Sequence, residues 1–482
     1  MKNFRPVFHI IGILLCIESF TMLIPMMIDF VYKNDDWHVF LFSSFFTFFI
    51  GMVFYFSFRT ENKKINLSQA FILTVLSWII IAIFSSLPFI FSSSNLNFTD
   101  AFFESISGIT TTGSTVITNL DDLTEGILIW RSFLQWFGGI GIIVLALAIL
   151  PTLQIGGMQL LHMEHDDPYE KTLPKVNQFV FEIVLIYLLL TFICGFFYFI
   201  AGMSIFDSVA HAMTTIATGG FSTHDNSFGN FNSAKIEWIS IIFMIIGSLP
   251  FVVYLKIVHG NWKNFFQDDQ IKLFFILIIL IVGVVTLWLS LNSNENIFYL
   301  FRSSAFNITS ILTGTGYSSS NFNLWGGFGL VIMFMIMFIG GCAGSTTGGV
   351  KIFRLLLLFR AALSQIKKLT HPHGVFVTTF NQKTVAEDTF NSVMNFFFMY
   401  ILIFIFASCL LSFFGLDFLT SISASASAIS NVGPGLGNTI GPLGNYNSLP
   451  FQAKWVLSIT MLVGRLEIFT FLVLLSVSFW KK

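Results

Sequence analysis

From position 303 to position 350 the chain carries no charged side chain, a run of 48 residues between Arg302 and Lys351. A helix crosses the hydrocarbon core of a bilayer in about 20 residues. The run is therefore too long for one span and too apolar for water, and must hold a span plus a second, re-entrant piece. Two further charge-free runs lie between Lys64 and Asp100 and between Asp417 and Lys454. Of the 482 residues 55% are hydrophobic and 10% charged, against roughly 25% charged in an average soluble protein. So few charges cannot cover the surface of a soluble enzyme. The 24 Lys+Arg against 25 Asp+Glu give a net charge of −1, without the basic excess that nucleic-acid binding requires. The apolar content excludes disorder. What remains is a polytopic, all-α membrane protein.

Apolar periodicity predicts about ten spans, near 7–31, 37–58, 68–91, 126–150, 179–202, 237–257, 271–291, 327–360, 390–414 and 453–479. The first is long for a signal-peptide core and no small-x-small cleavage site follows it, so it reads as a membrane span. With both termini cytoplasmic, 18 of the 24 Lys+Arg fall on the inside, as the positive-inside rule demands. Lys33, Arg131, Lys235, Arg302 and Lys454 fall outside, and Arg465 falls within the membrane. The longest polar connections, about 151–178 and 361–389, leave no room for an ATP-binding domain. Energy must come from an ion gradient, the membrane potential or another polypeptide. Cys16, Cys194, Cys342 and Cys409 lack metal-binding spacing and read as small buried hydrophobes.

The chain also repeats itself. Four Gly/Thr/Ser motifs follow re-entrant apolar segments: TTTGS at 110–114, ATGGFS at 217–222, GTGYS at 314–318 and NVGPG at 431–435. They align on Gly113, Gly220, Gly316 and Gly433, separated by 107, 96 and 117 residues. Thirteen residues before each glycine stand Asp100, Asp207, Ser303 and Thr420, all residue types that start helices. This spacing predicts a pore helix of about ten residues, then an extended loop. The unit is span–pore helix–span, repeated four times in tandem around a pseudo-fourfold pore and preceded by two extra transmembrane helices. The divisions are 1–60 for the two leading helices, then 61–150, 151–260, 261–370 and 371–482 for repeats 1 to 4. Non-helical backbone at membrane depth is tolerated where it lines a wet cavity or is packed in protein. Four such loops around one axis can offer a ring of carbonyls, which replaces the hydration shell of a monovalent cation. Helix C-termini aimed at the same point add partial negative charge. The residues so placed are Thr111, Thr112 and Gly113; Thr218, Gly219 and Gly220; Gly314, Thr315 and Gly316; and Asn431, Val432 and Gly433. Any one such cluster is equally a helix-packing motif, but four at matched spacing are not explained that way.

The second span of repeat 3 would be roughly 50 Å long if helical. Its middle holds Gly340, Gly341, Cys342, Ala343, Gly344, Ser345, Thr346, Thr347, Gly348 and Gly349. Half are glycine, which disfavours helix. Spacing and context exclude a phosphate-binding loop, and a flexible gate just below the filter is expected, with a simple kink as the alternative. Arg465 lies deep in the last span, where a charge faces a cavity or a partner. Glu467, two residues on, points to a different helix face. At about 8 Å and an effective dielectric of about 20, Arg465 would repel a cation by about 2 kcal/mol, a roughly 30-fold barrier. Glu104 in the first pore helix either braces the filter or attracts cations, and Glu18 reads as an interhelical polar contact. The 162–167 segment, with His162, Glu164, His165, Asp166 and Asp167, is a weak metal candidate, as is His371-Pro372-His373.

These residues resemble a known family. Four tandem repeats with one filter glycine each, together with 100–114, 216–225, 338–351, 431–437 and 453–475, resemble the Trk/Ktr/HKT superfamily of potassium transporters. The two extra leading spans fit its bacterial TrkH branch. The resemblance covers essentially the whole chain. It implies K+ as the transported ion and no cofactor in this chain. It further implies that 340–349 is an intramembrane gating loop and that Arg465 is the arginine beneath the filter. It implies a homodimer with one pore per subunit, in a bacterial cytoplasmic (inner) membrane, with a TrkA-like cytoplasmic nucleotide-binding regulatory subunit as partner. Because the four filter sequences differ from one another, few well-defined ion sites and modest discrimination among monovalent cations are expected. A Na+-permeable or K+/Na+-cotransporting relative stays open, as does the choice between channel-like passage and H+-coupled symport. An intramembrane enzyme built on 162–167 is the alternative from a different class.

Overall fold

Seven helices among the described residues are long and apolar enough to cross a membrane: Arg5–Tyr32, Trp37–Ser57, Leu67–Phe91, Glu125–Val144, Gln178–Ile200, Asp269–Asn292 and Glu387–Phe413. The computed structural model describes residues 4–60, 65–145, 173–374, 376–381 and 383–481. The 162–167 segment, and with it the enzyme alternative's candidate residues, lies outside the described residues.

The remaining predicted spans are broken, as expected at 340–349 but against the expectation of continuous helices at 237–257 and 453–479. The span expected at 237–257 is Ala234–Ser248 followed by Phe251–Val258, bent by 92°. Pro250 stands at the break, where it offers no N–H to continue the ladder. The span expected at 453–479 is Phe451–Arg465 followed by Ile468–Leu475, bent by 114°. Its break holds Glu467 at φ 62°, outside helical backbone. The stretch expected at 327–360 is an 11-residue helix, Gly326–Ile336, and a second helix, Ile352–Thr370, with a non-helical loop between. Its two ends are tied by Gly340 N–H to Val350 O at 2.9 Å and Val350 N–H to Phe338 O at 3.0 Å. Inner helices of three repeats therefore break, whereas that of repeat 1 runs unbroken through Val144.

The four pore helices are Phe98–Ile109, Ile205–Ile216, Ile297–Leu312 and Phe418–Ser430. Each starts about one turn earlier than the sequence reading placed it, and the third earlier still. The caps are Asn97, Ser204, Asn296 and Asp417. Asp100, Asp207 and Thr420 instead occupy the third helical position and donate their backbone N–H to the true cap. A helix N-terminus needs both a cap and a compatible third residue, and spacing alone does not say which of the two a polar residue is.

Burial departs from that of a soluble protein, with large apolar side chains facing outward and many polar ones buried beside the apolar core. Phe42, Phe192 and Leu291 stand on the outside at 71%, 72% and 83% exposure, while the interior holds Ser107, Thr214, Thr309, Thr313 and Ser427, all buried. The surrounding lipid is as apolar as leucine, so polar groups collect around the axis. Glu18 accepts a hydrogen bond from Ser85 at 2.6 Å, joining the first leading helix to repeat 1. All four cysteines are free, and Cys409 is exposed on the outer surface rather than buried.

Candidate functional site

All four pore helices end in one backbone motif. The residues two before the glycines, Thr111, Thr218, Gly314 and Asn431, take left-handed φ of 52°, 50°, 68° and 55°. Their N–H groups reach back three residues, to Gly108, Thr215, Ile311 and Ala428. The next N–H groups, of Thr112, Gly219, Thr315 and Val432, reach back five, to Ser107, Thr214, Ser310 and Ser427 at 2.9–3.0 Å. This double closure is the Schellman termination. Holding an L-residue at left-handed φ costs roughly 1–2 kcal/mol, and two of the four positions are β-branched threonines, so the surrounding packing must enforce them.

The glycines then turn left-handed again, with φ of 84° at Gly113, 81° at Gly220, 83° at Gly316 and 106° at Gly433. A Cβ on Gly113 would strike the carbonyl of Gly219, one on Gly220 that of Thr315, one on Gly316 that of Val432, and one on Gly433 that of Thr112, each at under 3.0 Å. The contacts run from repeat 1 to 2 to 3 to 4 and back to 1. Twelve residues dispersed in sequence thus form a closed ring in which each glycine abuts its neighbour's backbone.

Side chains brace this ring from behind. Gln135, on the inner helix of repeat 1, donates Nε2 to Gly219 O at 2.6 Å and accepts the Phe221 N–H at 3.0 Å. One turn earlier Arg131 binds Glu104 at 2.8 Å, Ser222 O at 2.9 Å and the Thr115 hydroxyl at 3.2 Å. Its guanidinium also lies 4.1 Å from the Phe221 ring centroid. Glu104 in turn accepts from Thr115 and from Val116 N–H. Its carboxylate is wholly buried, so its geometry is that of a brace. In repeat 4, Gly433 O accepts hydroxyls from Ser114, Ser427 and Tyr446 at 2.8–2.9 Å. The Asn431 amide spans to Thr112 and to Met461 O.

Directly beneath lies the 340–349 loop. The Thr346 hydroxyl meets the Thr218 hydroxyl at 3.0 Å, Ile216 O at 3.1 Å and Gly247 O at 2.9 Å. A Cβ on Gly348 would strike Ser430 O. The loop therefore touches the ends of pore helices 2 and 4. Arg465 donates Nη1 to Thr346 O at 2.9 Å, and its Nε and Nη2 lack a partner among the described residues. Lys351 reaches Thr347 O and the Thr347 hydroxyl. Gly344, Ser345, Thr347, Gly348, Gly349, Arg465 and Glu467 line a cavity of about 20 Å³, room for about one water.

Glu467 does not serve Arg465. It pairs with Arg354 at 2.7 Å, both side chains buried. Arg131 and Lys454, expected outside, and Arg354 are all three buried in ion pairs. Lys454 holds Asp100 at 2.6 Å and so ties repeat 4 to repeat 1. Gln135 and Tyr446 were missed altogether, because a single amide or phenol in an apolar run carries no periodic signal.

In the loop that follows Gly220 the fold assembles a cluster that sequence distance conceals. His224 Nδ1 meets the Asp121 carboxylate, and its Nε2 lies 3.6 Å from Asp207. The Asp207 hydrogen bond, aided by Asp121, raises the His224 pKa above its ordinary value against the opposing effect of burial. Asp207 also accepts from Thr223 and Ser204, each at 2.7 Å. Burial alone would raise its carboxyl, but these bonds and His224 outweigh it and hold the pKa well below the usual range.

Comparison with known proteins follows the same outline. The profile of the TrkH family, described as a cation transport protein, matches residues 37–482. The Trk system potassium uptake protein TrkI of Halomonas elongata is 38% identical, over 100% of this chain and 98% of its own. The Trk system potassium uptake protein TrkH of Escherichia coli K12 is 37% identical, over the full length of both. The crystal structure of the potassium transporter TrkH from Vibrio parahaemolyticus superposes with a TM-score of 0.92 at 37% identity, covering 99% of this chain and 100% of that one.

Proposed function

The chain belongs to the TrkH family of cation transport proteins, a family of membrane transporters and not of enzymes, and from that premise we propose that it carries K+ into the cell across the bacterial cytoplasmic membrane. The observation that carries the reading is the closed ring of four glycine loops at the ends of four pore helices. The ion is dehydrated against backbone carbonyls of Thr111–Gly113, Thr218–Gly220, Gly314–Gly316 and 431–433, with the pore-helix C-termini lowering its energy there. No side-chain carboxylate is needed in the ring, and the buried Glu104 acts through the loops it braces.

Below the ring the 340–349 loop is the gate. Its hydroxyls and glycines occupy the space a departing ion must cross, and Arg465 adds positive charge at the same level. Conduction requires the loop to leave its contacts with Thr218 and Gly247 and to draw Arg465 aside. The trigger comes from a TrkA-like nucleotide-binding subunit on the cytoplasmic side, where Ile352–Thr370 emerges beyond the loop carrying Lys367 and Lys368. The working unit is a homodimer with one pore per subunit and both termini in the cytoplasm.

The test is 86Rb+ uptake into liposomes holding the purified protein, with K+, Na+ and Li+ as competitors. Uptake blocked by K+ and only weakly by Na+ supports the reading. Equal competition by Na+ moves the protein to a sodium-permeable function. Uptake that K+ leaves untouched sinks it.

A further inference from the structure

The ring is regular in backbone, but its four loops are not chemically equivalent. At the level just before each glycine stand the carbonyls of Thr112, Gly219, Thr315 and Val432. These are the four oxygens that the neighbouring glycines abut. Among the described residues only Gly219 O receives a hydrogen bond, from Gln135 Nε2 at 2.6 Å. Gln135 is wholly buried. A Cβ on Gly219 would run into the Gln135 side chain, so residue 219 lacks a side chain where the amide sits. The same amide accepts Phe221 N–H at 3.0 Å, which fixes which end donates.

We infer that Gln135 is a specificity-determining positioning residue, weakening one of four carbonyl ligands and making the ring three-plus-one. A carbonyl oxygen that already accepts an amide hydrogen presents a weaker field to a cation. Ion choice in such a ring depends on the number and field strength of its dipoles. Strong fields favour the small, tightly hydrated Na+, and weaker fields tolerate the larger K+. By lowering the field at Gly219, Gln135 tilts the ring toward the larger ion. It also breaks the symmetry. Because the loops are ordered 1, 2, 3, 4 around the axis, the oxygen facing Gly219 belongs to Val432, and the ion sits displaced toward it. This inference rests on the K+ filter proposed above.

Two variants separate donor from acceptor. Gln135→Met removes both hydrogen bonds at nearly constant volume. Gln135→Glu keeps an acceptor for Phe221 N–H and, assayed at a pH high enough to ionise the buried carboxyl, loses the donor to Gly219 O. The readout is inhibition of 86Rb+ uptake by Na+ relative to K+ in liposomes, on protein shown by size exclusion and thermal unfolding to be folded. Both variants are expected to become about fivefold more sensitive to Na+, the factor one hydrogen bond of ordinary strength carries. A wild-type ratio in both, or a shift in Gln135→Met alone, overturns the role of the donor. Wild-type uptake that K+ does not inhibit overturns the underlying filter reading instead, whatever the variants do. Should neither variant purify, anomalous scattering from Rb+ soaked into crystals of the wild-type protein decides. Density at this level displaced toward Val432 supports the inference, and density centred on the axis overturns it.

Discussion

The guanidinium of Arg465 and the backbone carbonyl of Thr346 are joined at 2.9 Å, which ties the break in the last helix to the tip of the loop under the ring. The arginine therefore does two things at once. It puts a positive charge beside the loop under the ring, and it holds that loop through Thr346. Arg465→Ala removes both, so 86Rb+ uptake should rise, by about 10-fold or more on the Coulomb argument. Shortening 343–348 should raise it too. Unchanged or lower flux in folded protein would count against both parts as barriers.

The glycines of the ring abut carbonyls they cannot escape. A side chain at Gly316 would have to displace Val432 O while holding a φ of 83°. Gly316→Ser should abolish the preference for K+ over Na+ or stop uptake altogether. Cation competition against 86Rb+ checks it, and retention of wild-type uptake and preference would mean that this loop does not form the filter.

The Arg354–Glu467 pair is buried on both sides, and Arg354 also lies 3.7 Å from the Phe396 ring centroid. Removing one member of such a pair strands the other. Glu467→Ala should cost about 3–5 kcal/mol of stability, whereas Arg354→Met with Glu467→Leu should recover much of the loss. Thermal unfolding in detergent measures both. A double change that costs the sum of the two single changes would show that the pair carries no coupling.

His224, in the loop that follows Gly220, has its pKa raised by Asp207 and Asp121. A group with a raised folded-state pKa contributes stability that is fully present below its unfolded value, about 6.5 for histidine. That contribution is lost as the pH rises through the folded value. Thermal stability should therefore fall as the pH rises above about 6.5, and His224→Gln should flatten that segment of the profile. A slope unchanged by the substitution would place the titrating group elsewhere.

Much of this molecule was legible in the chain because the membrane imposes simple rules. Charge-free runs marked the re-entrant pieces, and the glycine run at 340–349 marked a break that no membrane helix of that composition could avoid. The four glycines and their left-handed partners could be aligned because each closes the same local motif. What stayed hidden was pairing. The turns that begin the pore helices were misplaced because Asp100 and Asp207 look like caps until Asn97 and Ser204 are seen to accept their N–H groups. The bends at 249–250 and 466–467 escaped notice because one proline, or one strained glutamate, leaves the apolar pattern around it unchanged.

The sequence by itself determined the solvent, the number of repeats and the residues of the ring, because hydropathy and glycine placement act locally and at fixed spacing. Only the tertiary structure decided which of those residues face one another. The closure of loop 1 onto loop 2, the tie from Gln135 to Gly219 and the reach of Arg465 to Thr346 join positions from 84 to 119 apart in the chain. Their partners are set by how helices pack around an axis, and no local preference of either residue specifies the other.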